Sequence, residues 1–173
     1  MSDEIYTIRP AEQRDLPRLP EIERAAASLF RNTAYSYLSD DDPVSQEVDL
    51  EHELVWVIVD QADQAIGFAI FRPIDIGVHL HELDIDPRYG RRGLGRRLIE
   101  AIAEWSKQHG ASALTLSTFE DLAWNGPYYA RLGFVKLNDE QLSPDLQAIR
   151  RTEAEAGLPI QRRICMKRDL TVE

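Results

Sequence analysis

Cysteine is nearly absent from this 173-residue chain, which contains a single one, Cys165. One cysteine excludes an internal disulfide and any zinc site built from several cysteines. The chain also lacks an apolar run close to the roughly 20 residues of a membrane-spanning helix. Its first ten residues are acidic and have no apolar signal-peptide core. We therefore expect a soluble, cytoplasmic protein with no membrane partner.

Positively charged residues are also outnumbered. The chain has 20 lysines and arginines and 30 aspartates and glutamates, which gives a net charge of −10. Such a chain is repelled by nucleic acid and attracts cations, so we expect no nucleic-acid partner. The charges are unevenly spread. Asp40 to Glu53 holds seven carboxylates and no lysine or arginine, whereas five arginines fall within ten residues. They are Arg88, Arg91, Arg92, Arg96 and Arg97.

Strand and helix patterns alternate along nearly the whole chain, which predicts one mixed α/β domain over residues 1–173. The segment 32–53 is weakly periodic and predicts a loop with a short helix. Strand patterns cover residues 5–9, 54–59, 65–71, 78–86, 113–119, 134–137 and 162–168. Helical patterns cover residues 15–30, 93–109, 127–132 and 142–156, the first becoming regular near Pro20.

A glycine-rich turn separates the fourth strand pattern from the long central helix. Gly90, Gly93 and Gly95 fall within six residues at the start of that helix, between arginines. Glycines leave backbone N–H groups pointing at a bound anion, and the helix N-terminus adds partial positive charge. The pattern predicts pyrophosphate binding. It is not a dinucleotide fingerprint, because Leu98 replaces the third glycine, and no P-loop lysine follows.

Two of the four histidines, His79 and His81, lie two residues apart on the strand before this turn. Alternation places both imidazoles on one face, with Glu82 on the other. Such a pair is structural, a pair of metal ligands, or a base. No third ligand is near in sequence, so we expect no metal.

The segment Pro87 to Arg96 resembles the acyl-CoA pyrophosphate loop of the GNAT N-acetyltransferases, with Gly90 in the slot of that family's leading Gln or Arg. Tyr128 to Phe134 is similar to the family's Y-x-x-x-G-F motif, and His79 to Ile85 resembles the histidine strand of arylalkylamine N-acetyltransferases. The resemblance implies a GNAT-like acyl-CoA N-acyltransferase fold, with a central twisted mixed sheet flanked by helices.

The same resemblance implies roles for individual residues. His79 and His81 would remove the proton of the amine, with Glu82 ranked below them, and Tyr129 would protonate the leaving thiolate. The N–H of Leu83 would bond the thioester carbonyl, and Ile85 would pair with the pantetheine arm. The cofactor-binding set is Leu83, Asp84, Ile85, Arg91, Arg92, Gly93, Leu94, Gly95, Arg96 and Asn125. Asn125 is also expected to cap the helix that follows it.

The expected function is transfer of an acetyl group from acetyl-CoA, a co-substrate, to a primary amine in one ternary complex. Asp40 to Glu53 favours a cationic small molecule as acceptor, with Tyr35, Tyr37 and Trp124 as aromatic contacts. Two alternatives stay open: acetylation of a protein or peptide, and a non-catalytic acetyl-CoA sensor. The helical segment after Leu137 is compatible with a homodimer surface or with a lid.

Overall fold

In a computed structural model, which describes residues 5–170, seven strands form one mixed sheet with four α-helices beside it. The strands are β1 (Thr7–Pro10), β2 (Leu54–Val59), β3 (Ala65–Ile74), β4 (Gly77–Ile85), β5 (Ala113–Phe119), β6 (Val135–Lys136) and β7 (Arg163–Asp169). The helices are α1 (Leu19–Ala27), α2 (Leu94–Gln108), α3 (Gly126–Arg131) and α4 (Pro144–Glu155). No helix among residues 5–170 is long and apolar enough to cross a membrane.

The strand order is β1-β2-β3-β4-β5-β7-β6, which confirms the predicted mixed α/β class. β4 and β5 pair in parallel, whereas β1 with β2, β2 with β3, β5 with β7, and β6 with β7 are antiparallel. The described residues fall into two compact units. One consists of residues 5–71 and 82–101, and the other of residues 72–81 and 102–170.

The first unit has apolar side chains on both faces of its strands. Leu19 and Ile22 of α1 are fully buried against one face, on which Val57 of β2 also lies. Ile58, the next residue of β2, packs with Leu94 of α2 on the other face. The near-continuous apolar run of β2 follows from this arrangement, because a strand covered on both sides needs apolar residues at successive positions.

The second unit is built on β5 and β7, which pair over seven residues from Ala113 with Asp169 to Phe119 with Arg163. Cys165 of β7 is 2% exposed, so it is buried as a small apolar residue would be. Helix α4 contributes the buried Leu146.

The structure differs from the sequence prediction mainly between β1 and β2. The predicted helix 15–30 is a 3₁₀ helix (Gln13–Arg18), then α1, then a second 3₁₀ helix (Ser28–Asn32). Pro17 lies inside the first 3₁₀ helix and Pro20 in the first turn of α1, so regular α-helix begins near Pro20, as predicted. The segment 32–53 contains two further short 3₁₀ helices and no α-helix.

Candidate functional site

The turn between β4 and α2 has the backbone geometry of an anion cradle. Arg91 and Gly93 have left-handed backbone, with φ of 59° and 72°. A Cβ at Gly93 would meet no atom within 4 Å, so this position borders open space. Helix α2 begins at Leu94, and the N–H groups of its first turn have no acceptor within the helix. These donors and the positive helix end suit a phosphate.

The arginines near this turn do not share one role. The Arg88 guanidinium donates to Asp86 at 2.7 Å, and Arg18 donates to the same carboxylate at 3.1 Å. Asp86 is buried, and its pKa lies below the ordinary range because Arg88 hydrogen-bonds it. Arg88 therefore fixes the start of the turn. A charge count cannot separate such a structural arginine from one that binds phosphate.

The remaining arginines surround the start of α2. Arg92 donates to the Tyr6 hydroxyl at 2.6 Å, and Arg97 donates to the Tyr6 carbonyl at 3.0 Å. Arg91 and Arg96 are exposed. Of the three arginines predicted to bind phosphate, Arg92 thus also has a partner in the protein, which restrains its side chain.

The end of β4 approaches β3 closely. A Cβ at Gly67 of β3 would overlap Ile85 and lie 3.0 Å from the Asp84 carbonyl, so glycine is needed there. The Ile85 side chain packs with the apolar cluster around Ile58 and Leu94. Any contact of Ile85 with a pantetheine arm would therefore run through its backbone, as the resemblance implies.

Three carboxylates meet on the α1 side of this strand. Glu82 and Asp84 of β4 and Glu23 of α1 each place one oxygen within 4.8 Å of the other two. The Oδ2 atom of Asp84 is buried and has no hydrogen-bond partner. Burial, the charges of Glu82 and Glu23, and a hydrogen bond with Glu82 raise the pKa of Asp84 well above its ordinary range. The surroundings of Asp84 therefore disfavour its ionised form unless a cation is nearby.

Glu23 also holds the acidic segment in place. Its carboxylate accepts hydrogen bonds from the Val44 N–H at 2.8 Å, the Ser45 N–H at 3.0 Å and the Ser45 hydroxyl at 2.5 Å. The segment between α1 and β2 is thus tied to the carboxylate cluster. Within that segment Tyr35 is 5% exposed and belongs to the core, so its predicted role as an acceptor contact is wrong. Tyr37 is exposed.

His79 of the second unit is a neutral, buried histidine. It is 1% exposed, and its Nδ1 lies 2.8 Å from the Thr115 hydroxyl. Burial, followed by the nearby His81, Arg72 and Arg163, lowers the pKa of His79 to about 3. His81 is exposed. The predicted pair therefore consists of one solvent-facing imidazole and one that carries no charge at neutral pH.

Tyr129 lies in the middle of α3, half-buried, with its ring edge-on to Phe134 at 5.9 Å. Asn125 precedes this helix but does not cap it with its side chain. Instead, the Asn125 Oδ1 accepts a hydrogen bond from the Thr118 hydroxyl at 2.5 Å. The predicted side-chain cap is therefore wrong, because the amide oxygen is used by Thr118. Trp124 is 40% exposed, as an acceptor contact requires.

Two groups of side chains can offer ligand atoms to a metal ion among the described residues. One is the cluster of Glu23, Glu82 and Asp84, and the other is an exposed group of Asp49, Glu51 and His52. In the exposed group His52 already bonds Asp49 at 2.7 Å. The β4 histidines belong to neither group, so the arrangement does not favour them as metal ligands.

Residues 17–134 match the family model described as Acetyltransferase (GNAT) family. The chain belongs to this GNAT acetyltransferase family. The matched range includes the glycine turn, the whole of β4 and helix α3, and therefore every predicted site residue. The chain is a GNAT-type N-acetyltransferase, as the loop motif and the Y-x-x-x-G-F motif predicted. The likeness of its histidine strand to arylalkylamine N-acetyltransferases stays a prediction.

Solved structures share the fold at low sequence identity. A GNAT-family acetyltransferase of Staphylococcus aureus Mu50 is 16% identical with a TM-score of 0.70, over 96% of this chain and 100% of that one. The ribosomal-protein-S18-alanine N-acetyltransferase of Escherichia coli is 22% identical with a TM-score of 0.65, over 98% and 96%. The PaiA N-acetyltransferase of Thermoplasma acidophilum, solved with coenzyme A, is 15% identical with a TM-score of 0.71, over 95% and 99%.

Sequence reasoning missed Glu23 as a member of the site. Its carboxylate meets Glu82 and Asp84 only because α1 packs on that face of the sheet. One signal was present in the sequence: two carboxylates two residues apart, Glu82 and Asp84, in a strand that is otherwise largely apolar. Alternation places them on one face, and such a pair is costly without a proton or a cation nearby.

Proposed function

We propose that this GNAT enzyme transfers an acetyl group from acetyl-CoA directly to the primary amine of a cationic small molecule. The observation that carries the proposal is the turn from β4 into α2. It combines left-handed backbone at Arg91 and Gly93, open space at Gly93 and the N–H groups of a helix start, which have no acceptor within the helix. This donor set fits a pyrophosphate. Bound acetyl-CoA supplies the activated acetyl group as a thioester.

The chain's own residues then have four tasks. The N–H groups of Gly93, Leu94, Gly95 and Arg96 hold the pyrophosphate, helped by Arg91, Arg92 and Arg96. The β4 backbone at Asp84 and Ile85 lines the pantetheine arm, and the Leu83 N–H stabilises the oxyanion. Tyr129 donates its hydroxyl proton to the departing thiolate. Asn125 contacts the cofactor arm.

The remaining task is to take a proton from the amine, because an alkylammonium with a pKa near 10 must lose one before it attacks. His79 is poorly suited, since a pKa of about 3 makes it a weak base. Glu82 is better supported, because it lies among carboxylates that attract a cation. His81 stays the alternative base. This order reverses the ranking expected from the sequence.

A cationic acceptor is supported by the charge of the first unit. The segment from Asp40 to Glu53 carries seven carboxylates and is tied to the cluster through Glu23. Such a surface raises the local concentration of cations. We infer aromatic or aliphatic amines as acceptors, with Tyr37 and Trp124 exposed for contact with the amine's apolar body.

The test is release of coenzyme A from acetyl-CoA, followed with a thiol reagent. The panel contains arylalkylamines, polyamines, aminoglycosides, amino acids and a lysine peptide. Release that depends on one class of small amine supports the proposal. Release with the peptide alone indicates protein acetylation, and acetyl-CoA binding without amine-dependent release with any member indicates a sensor. Failure to bind acetyl-CoA overturns the proposal.

A further inference from the structure

We propose that Glu23, Glu82 and Asp84 form a binding site for the primary ammonium group of the acceptor. The proposal rests on the acetyltransferase function above and names the part of the acceptor that the cluster recognises. It differs from the sequence-based expectation, which assigned the acceptor to the acidic segment and the proton to histidines.

The first support is the spacing of the oxygens. An ammonium nitrogen whose three N–H groups each donate at about 2.8 Å separates its acceptors by about 4.6 Å, because its N–H bonds are tetrahedral. One oxygen each of Glu23, Glu82 and Asp84 lies within 4.8 Å of the other two. Because no two of these oxygens are more than 4.8 Å apart, a single ammonium nitrogen can lie within hydrogen-bond distance of all three.

The second support is the unpartnered oxygen of Asp84. Its Oδ2 is buried without a hydrogen bond, although a buried carboxyl oxygen is normally paired. Leaving such an atom unpaired costs free energy, and two further carboxylates beside it add repulsion. A cation that donates to Oδ2 removes both costs. The cluster thus offers a buried acceptor atom to a positively charged donor.

An ammonium group fits this cluster better than a metal ion does. Mg²⁺ needs near-octahedral ligands at about 2.1 Å and therefore requires adjacent oxygens about 3 Å apart. Glu23 is held by Val44 and Ser45 through three hydrogen bonds, so its carboxylate has little freedom to adopt an octahedral coordination geometry. An ammonium group leaves this anchoring intact, because it uses the remaining lone pairs of the carboxylate.

The experiment is calorimetric titration of tryptamine and putrescine into the full chain saturated with coenzyme A, which allows binding without turnover. Tryptophol, which has a hydroxyl in place of the ammonium, is the ligand control. The variants are Asp84→Asn and Glu23→Gln. Their matched controls are Asp139→Asn and Glu140→Gln, which remove the same charge from exposed positions of one 3₁₀ turn.

We expect each cluster variant to weaken binding of at least one of the two amines by roughly 10-fold or more, because each loses a charge-assisted hydrogen bond. The control variants should stay within about 2-fold of the wild type. Tryptophol should bind more weakly than tryptamine. Asp84→Asn keeps the size of the side chain, and a thermal unfolding curve shows that both variants are folded.

Several results would overturn this assignment. The first is an amine affinity that is unchanged in both cluster variants, and the second is a wild-type affinity for tryptophol equal to that for tryptamine. The third is the absence of saturable binding of either amine to the wild type. The fourth is displacement of the amine by Mg²⁺ or Ca²⁺ from the wild type but not from Asp84→Asn. Coenzyme A release separates this failure from failure of the proposed function. Amine-dependent release with unchanged affinity in the variants would retain the acetyltransferase and reject the cluster.

Discussion

The two ends of strand β4 hold ionisable side chains under opposite electrostatic conditions. At one end His79 is buried near His81, Arg72 and Arg163, and its pKa falls to about 3. At the other end Asp84 is buried near carboxylates, and its pKa rises. Each shift therefore disfavours the charged form of its side chain. Only the carboxylate end would be stabilised by an incoming cation, which is why the amine is assigned there.

The comparison also separates a structural residue from a reactive one. His79 has a hydrogen-bond partner in Thr115 and no unpaired buried atom is found on it. Asp84 has an unpaired oxygen and two neighbours of like charge. A residue with satisfied hydrogen bonds contributes to stability, whereas one with an unsatisfied bond is more typical of a ligand site.

The largest effect is expected on turnover. Glu82→Gln should lower kcat/KM for the amine by about 10²–10⁴-fold, because it removes the proposed base. His79→Gln should lower it by less than about 10-fold, since a neutral histidine with a low pKa takes up little proton. Steady-state coenzyme A release measures both, with Glu140→Gln as the control. A loss in His79→Gln that equals or exceeds the loss in Glu82→Gln would reverse the assignment of the two ends.

The next effect concerns stability in acid. Below pH 6.5 the unfolded chain protonates His79 while the folded chain does not until about pH 3. The wild type should therefore lose free energy of unfolding as the pH falls through this window, by on the order of 4 kcal/mol. The loss of unfolding free energy over this pH window should be smaller in His79→Gln by the same amount. Denaturant titrations between pH 3 and pH 7 measure the difference, and a slope equal to that of the wild type would show that His79 is not buried neutral.

The matched control for this stability effect is His109→Gln, because His109 is exposed. It measures how much of any change in the acid slope comes from replacing a histidine by glutamine at an exposed position.

A smaller effect is expected from Thr115→Val. The change keeps the shape of the side chain but leaves the His79 Nδ1 without its partner, which costs about 2 kcal/mol of folding free energy. The kcat of the variant should stay close to that of the wild type. Chemical denaturation and the release assay together measure this split. A large fall in kcat with unchanged stability would show that His79 acts in the chemistry.

The smallest expected effect is a gain in stability rather than a loss. Asp84→Asn should raise the free energy of unfolding by about 1 kcal/mol near neutral pH, because it removes a costly buried carboxyl group. The folded chain keeps its Asp84 proton above pH 4, where the unfolded chain loses it. The gain should therefore grow as the pH rises from about 4 toward the raised pKa. Asp139→Asn is the control, and destabilisation by Asp84→Asn at all pH values would contradict the account.

The sequence predicted those parts of the fold and site that depend on local residues. Gly90, Gly93 and Gly95 marked the turn and the start of α2, and Pro20 marked the start of α1. The apolar residues 54–59 marked strand β2. Each of these signals lies within a few residues of the structure that it forms, so alternation and turn chemistry are enough to detect it.

Other features depend on packing between distant segments and could not be predicted from the sequence. Glu23 meets β4 only through the packing of α1. Tyr35, which was predicted to contact the acceptor, is buried by the segment around it. The dry surroundings of His79 depend on β5, which supplies Thr115. Burial is the main cause of the pKa shifts of His79 and Asp84. It depends on residues that are distant in the sequence, so it cannot be predicted from local patterns.

The most direct test of the central claim is mass spectrometry of a reaction that contains the enzyme, acetyl-CoA with a labelled acetyl group, and the amine that supports fastest coenzyme A release. The account predicts one labelled acetyl group on the amine nitrogen for each coenzyme A released, and none on the protein. Label on Cys165 or another side chain during turnover, or coenzyme A released without acetylated amine, would contradict direct transfer.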